Sequence, residues 1–237
     1  MIPIPEQGDG PHRLWCDLLD LAEAFPRHWT VIGAHMAALY AWEAGIDARP
    51  SQDIDVLANV RLHTSASEEI ARFLMERGYE PEIKRIGLVH LFRRHDVGEI
   101  DLFVPDGIGS RTPRRTVPPN RTISIPGGTQ ALDRSEPVTI RTRDVEGEIL
   151  RPNLLGAILV KLRAIDVDDL PDAQRADVAM LVSLATEPDS LARELTRKDR
   201  KILKRHAYFA DLDDERWGRF DADNPETVAL VYRRLLG

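Results

Sequence analysis

The segment WTVIGAHMAALYAWEAG, residues 29–45, constrains this chain more than any other. Thr30, Val31 and Ile32 form a short buried-strand pattern, Gly33 breaks it, and Ala34 to Glu43 are helix formers closed by Gly45. A strand that turns through glycine straight into a helix leaves unpaired amides and the positive end of the helix dipole together, a combination suited to phosphate. The next segment, ARPSQDIDVLANV, alternates Asp53 and Asp55 with Ile54 and Val56, a period-two strand pattern. The two carboxylates therefore share one face. A further strand pattern, Glu99-Ile100-Asp101-Leu102, carries Asp101 as a third acid, with Asp96 and Glu99 as close competitors.

These elements alternate with others. Residues 13–25 place Trp15, Leu18, Leu19, Ala22 and Phe25 at helical spacing, and Pro26 ends that helix. Residues 65–77 open on Ser65 and a Glu-rich first turn and stop at Gly78, the pattern of an amphipathic helix. Residues 83–94 and 99–105 read as two strands flanking the turn His95-Asp96-Val97-Gly98. Residues 105–143, rich in Pro, Gly, Ser and Thr, predict irregular loops with two short strands. From Asn153 the pattern is helical, over 153–165, 173–185, 193–205 and 225–236. We read an α+β chain, a small mixed sheet flanked by helices over 1–150 and a helical C-terminal region over 151–237 packed on that core.

Composition excludes several classes. A net charge of −7 argues against a general nucleic-acid coat or an anionic-membrane binder. No stretch is apolar enough to span a membrane and no export leader is visible, so no membrane partner and a cytoplasmic location are expected. The one cysteine, Cys16, reads as a small buried hydrophobe. Lysine is scarce: Lys84, Lys161, Lys198, Lys201 and Lys204 stand among 32 basic residues.

Side-by-side carboxylates on adjacent strands can hold divalent ions, which need hard oxygen ligands, and such ions serve phosphoryl transfer. Strand, glycine turn, helix, DxD strand, helix and a strand with a third Asp, in that order, resembles the nucleotidyltransferase fold of DNA polymerase β-like enzymes. More narrowly, VIGAHMAALYAWEAGIDARPSQDIDVLANV resembles the GG-H-A … R-x-T-x-D-I-D stretch of AbiEii/AbiGii-type nucleotidyltransferases, a group that includes type IV toxins. Arg49 precedes Asp53 by four residues, as in that group, while Ala34 replaces a second glycine and Ser51 a threonine. RPNLLGAILVKLRAI resembles the group's P-x-x-L-L-x-x-K-L-x-A helix and aligns Lys161 with its lysine; of the Arg…Lys-Asp…Asp run that follows in the group, DAQRADVAML retains only Asp177. The likeness covers about residues 29–186.

The resemblance implies Asp53, Asp55 and Asp101 as catalytic ligands of Mg2+ or Mn2+. It also implies Gly33, Ala34, His35, Arg49, Lys161 and Asp177 as nucleotide-binding positions. The implied reaction moves NMP from an NTP to an RNA or tRNA 3′ end or a protein, in a toxin with an antitoxin partner. Residue by residue, Arg49 reads more readily as a brace for the DxD strand, His35 as a packing residue, and Lys161 equally as a phosphate contact or a snorkelling side chain. His90, His95 and His206 read as surface or structural residues. The basic run 193–205 is either a solvated helix face or an RNA-binding surface, with Arg111, Arg114, Arg115 and Arg121 as weak support. Two other readings stay open: a small-molecule nucleotidyltransferase of the aminoglycoside-modifying sort, and a non-catalytic module that binds nucleotide or a partner.

Overall fold

The computed structural model describes residues 1–83, 87–109 and 112–237. Two compact units divide the chain, Met1–Asn153 and Leu154–Gly237.

The first unit runs β1 (Ile2–Pro3), α1 (Asp9–Ala24), β2 (Trp29–Ile32), α2 (Gly33–Glu43), β3 (Asp53–Ala58), α3 (Ala66–Glu76), β4 (Glu80–Glu82), β5 (Leu91–Arg94), β6 (Gly98–Pro105), β7 (Ser124–Ile125), α4 (Gly128–Asp133), β8 (Ser135–Arg141) and β9 (Glu146–Pro152). Its main sheet has the order β2-β3-β6-β5-β4, with β7 also on β6. β3 and β6 are parallel, and the other pairs along that path are antiparallel. A smaller sheet has the order β1-β8-β9. The unit is therefore a mixed α/β fold with sheets flanked by helices.

Strand and helix positions follow from burial. β2 is buried at all four residues, which leaves it no polar face and explains why its pattern is a run and not an alternation. α1 buries Leu14, Trp15, Leu18, Leu19 and Leu21, and it starts four residues before the expected helix because Pro11 is tolerated in a first turn. The expected strand over 83–94 is shorter: β5 begins at Leu91, β4 occupies 80–82, and 84–86 lie outside the described residues. Residues 105–143 hold more order than expected, since they include α4 and the seven-residue β8. Val138 and Ile140 alternate inward along β8, and Pro137, which breaks the sequence pattern, sits where β8 has no β1 partner.

The second unit comprises α5 (Leu154–Ile165), α6 (Asp172–Ser183), α7 (Pro188–Glu194), α8 (Arg197–Arg205) and α9 (Pro225–Leu236), with two 3-10 turns before α9. The expected helix over 193–205 is two helices. Leu195 leaves helical geometry, and Thr196 and Asp199 form a reciprocal capping box that restarts the chain as α8. His206 closes α8 and is 4% exposed, beside Asp166 at 3.2 Å. Burial holds its pKa below 6.5, against the pull of Asp166. A histidine with a lowered folded pKa binds fewer protons than the unfolded chain once pH drops below 6.5, so stability falls as pH falls through that range. Thermal unfolding should show a melting temperature that drops between neutral and mildly acidic pH, and His206→Gln should flatten that slope.

Candidate metal and nucleotide site

Register does most of the assembly. In the β3–β6 ladder Asp53 lies opposite Glu99 and Asp55 opposite Asp101; on the other side of β3, Ile32 lies opposite Asp55. The residue after Ile32 is Gly33, so the turn into α2 falls directly beside the Asp55 carboxylate. Gly33 has φ +68°, and a Cβ there would overlap the Asp55 side chain. Glycine is thus required twice, by the left-handed backbone and by the carboxylate packed against it.

Asp53, Asp55 and Asp101 converge: one carboxylate oxygen from each lies within 4.8 Å of the others, and all three residues are half-buried. Three anionic oxygens so close, at partly desolvated positions, are a donor set fitted to a hard divalent cation. Glu99 shares their face but is drawn off. Its cross-strand neighbour on β5 is Arg93, whose guanidinium contacts it at 2.7 Å, whereas the β5 neighbour of Asp101 is Leu91. Asp96 is exposed on the β5–β6 turn and pairs with His95. The competition among the three acids of this hairpin is settled by which neighbour each strand position meets.

Asp53 is held from two directions. Ser51 Oγ donates to its Oδ1 at 2.8 Å, and the His35 Nδ1–H donates to its backbone carbonyl at 2.9 Å. His35 is 5% exposed and meets the Trp15 ring edge-on at 5.5 Å. In this unit His35 is therefore a brace between α2 and β3. The sequence presents Ser51 only as a replacement for the resembled group's threonine, yet a hydroxyl two residues before a strand-leading Asp is within local hydrogen-bond reach of its carboxylate. Ala34 follows Gly33 in the first turn of α2, which has no side-chain cap. Arg49 is exposed in the loop between α2 and β3. A cleft of about 410 Å³ has walls that include Trp15, His35, Ser51, Gln52, Arg93 and Glu99, and none of the three converging acids is among its lining residues.

Lys161 and Asp177, expected as nucleotide contacts, lie in the second unit and pair with each other. Lys161 Nζ donates to Asp177 Oδ2 at 2.6 Å and to Gln174 Oε1 at 2.8 Å, and both charged residues are buried. Arg115 and Arg121 are exposed on an irregular loop and Arg111 lies outside the described residues. Cys16 is half-buried, not fully so, its thiol pushed up by burial.

The fold is that of a nucleotidyltransferase-like protein. Among solved structures it is similar to the crystal structure of an antigenic nucleotidyltransferase-like protein from Paracoccidioides brasiliensis, with a TM-score of 0.54 and 9% identity over 93% of this chain and 98% of that one. No protein-family model matches the sequence, and no curated protein does. Among the described residues no helix is long and apolar enough to cross a membrane.

The close approach of Gly33 to Asp55 is open to test. Gly33→Ala should cost about 2 kcal/mol or more, since a non-glycine residue at positive φ is strained by roughly 1–2 kcal/mol before any displacement of Asp55. Denaturant unfolding measures this; unchanged stability would mean the carboxylate does not pack on the turn.

Proposed function

We propose that the chain is a divalent-metal-dependent nucleotidyltransferase that moves NMP from an NTP to an acceptor hydroxyl. The convergence of Asp53, Asp55 and Asp101 within 4.8 Å beside the Gly33 turn carries this reading. Mg2+ or Mn2+ bound by these carboxylates supplies Lewis-acid polarisation of the phosphates and offsets their charge.

The remaining work falls to the chain's own groups. The uncapped N-terminus of α2, at Gly33 and Ala34, offers amides and the helix dipole to the triphosphate. Asp101 accepts the proton of the acceptor hydroxyl as its oxygen bonds to the α-phosphorus; the bond from that phosphorus to the bridging oxygen breaks and pyrophosphate leaves. Ser51 and His35 fix Asp53 so that its geometry does not relax as charge develops. Arg49, Lys161 and Asp177 remain proposed nucleotide contacts on the strength of the AbiEii/AbiGii resemblance. The same resemblance supports an RNA or tRNA 3′ end or a protein as acceptor, and a cytoplasmic toxin restrained by an antitoxin protein.

Incubation with each labelled NTP, Mg2+ or Mn2+ and total RNA tests the reaction. The wild type should label an acceptor and release pyrophosphate. Asp53→Ala/Asp55→Ala should abolish both, and Asp101→Asn should slow them by about 10²–10⁴-fold, each with an unchanged circular dichroism spectrum. Equal labelling by wild type and double variant sinks the assignment. For the toxin reading, induced expression should arrest growth with the wild type and not with the double variant.

A further inference from the structure

The reaction above uses none of α8. This helix carries Arg197, Lys198, Lys201, Lys204 and Arg205, all exposed. At 3.6 residues per turn these five cations occupy one stripe roughly 120° wide. Leu203 lies on the opposite side and Ile202 beyond one edge of the stripe, both buried in the second unit, and Arg200, outside the stripe, donates to the Ala192 carbonyl at 2.7 Å. The capping box of Thr196 and Asp199 fixes the start of the helix. The stripe is thus a rigid surface feature.

Its charge is largely uncompensated. Arg205 pairs with Asp166, but Arg197, Lys198, Lys201 and Lys204 have no ion-pair partner among the described residues. Three of the five lysines in a chain that otherwise uses arginine stand here, within seven residues. Lysine is a compact point charge without the planar fork that arginine brings to carboxylates. The stripe shows no aromatic or aliphatic anchor. Protein-binding surfaces are built the other way, with lysine depleted and aromatics enriched. Phosphate backbones are met by such cations, with counterion release as the driving force.

We propose that the exposed face of α8 is a docking surface for the sugar–phosphate backbone of single-stranded RNA. This deepens the transfer reading by giving its acceptor class a place to bind, and in that respect rests on it.

The test uses the full chain, fluorescence anisotropy and a labelled unstructured oligoribonucleotide, over a salt series and with no nucleotide or divalent ion. Binding then stands or falls separately from the transfer reaction. The wild type should bind with a steep salt dependence. Lys198→Gln/Lys201→Gln/Lys204→Gln, with its helical signal retained, should reduce the slope of log K against log salt by about 2 and weaken binding by tens- to a hundred-fold near 0.1 M salt, since each lost contact removes about 0.7 of slope. A triple variant that binds like the wild type, or a wild type that does not bind, overturns the proposal. So does competition by polyglutamate as effective as that by unlabelled RNA at equal charge, which would assign the stripe to an acidic protein. If the triple variant loses helical signal, each single Lys→Gln variant is measured in its place, with about a third of the slope change expected and no change overturning the proposal.

Discussion

The site depends on one packing constraint, the absence of a side chain where β2 becomes α2. Asp55 sits in the middle strand of three, with Ile32 across one ladder and Asp101 across the other. A carboxylate in that position needs room on the β2 side, because the β6 side is already taken by a second anion. Gly33 provides it, and α2 begins at that same positive-φ residue, beside the Asp55 carboxylate. Repulsion among three half-buried carboxylates is costly without a cation. The fold tolerates them because the backbone register, fixed by the buried side chains of Val31, Ile32, Ile54, Val56, Ile100 and Leu102, leaves them no other place.

Much of this was legible because strand periodicity carries three-dimensional information. Alternation at 53–56 placed two acids on one face, and the glycine between a strand pattern and a helix pattern marked the turn. What periodicity cannot supply is cross-strand register: the sequence names Asp101 and leaves Glu99 a competitor, and the pairing of Glu99 with Arg93 and of Asp101 with Leu91 is the physical difference between them. The smaller sheet was obscured for a different reason. Pro137, Gly147 and the charged residues of β8 and β9 look like loop, and their strand geometry comes from pairing with each other, a non-local contact that composition does not show. Likewise Leu195 looks like part of a continuous helix, and the short polar cap at Thr196 outweighs that local pattern.

Lys161 shows what a buried cation demands of its surroundings. A lysine 2% exposed must find an anion or give up its proton, and Asp177 meets it at 2.6 Å within the same unit. The resemblance implies both residues as nucleotide-binding positions, and the sequence reads Lys161 equally as a phosphate contact or a snorkelling side chain. They are partners, and a neutralised pair exerts far less pull on a triphosphate than a free ammonium would. Gln174, which bridges Lys161 and Asp168, extends the pair into a polar network that ties α5 to α6. The first role of this network is to let a charge exist inside a helical unit.

Net charge gains meaning only when it is placed. The stretch 193–205 holds seven basic and two acidic residues, and 206–226 holds seven acidic and two basic ones, so the overall −7 conceals a sharp segregation. Several of the acids after α8 are occupied locally, as where Asp214 binds Arg216, which holds the Asp214 carboxyl down at about 2. The unpartnered cations of α8 are on a different footing, exposed and aligned by a helix whose apolar side anchors it. At physiological ionic strength charges more than about 8 Å apart are largely screened. A backbone phosphate in contact with α8 therefore meets chiefly the charges within that distance. A net-acidic chain and a basic contact surface are compatible for that reason, and an unfavourable overall sign costs association rate before it costs affinity.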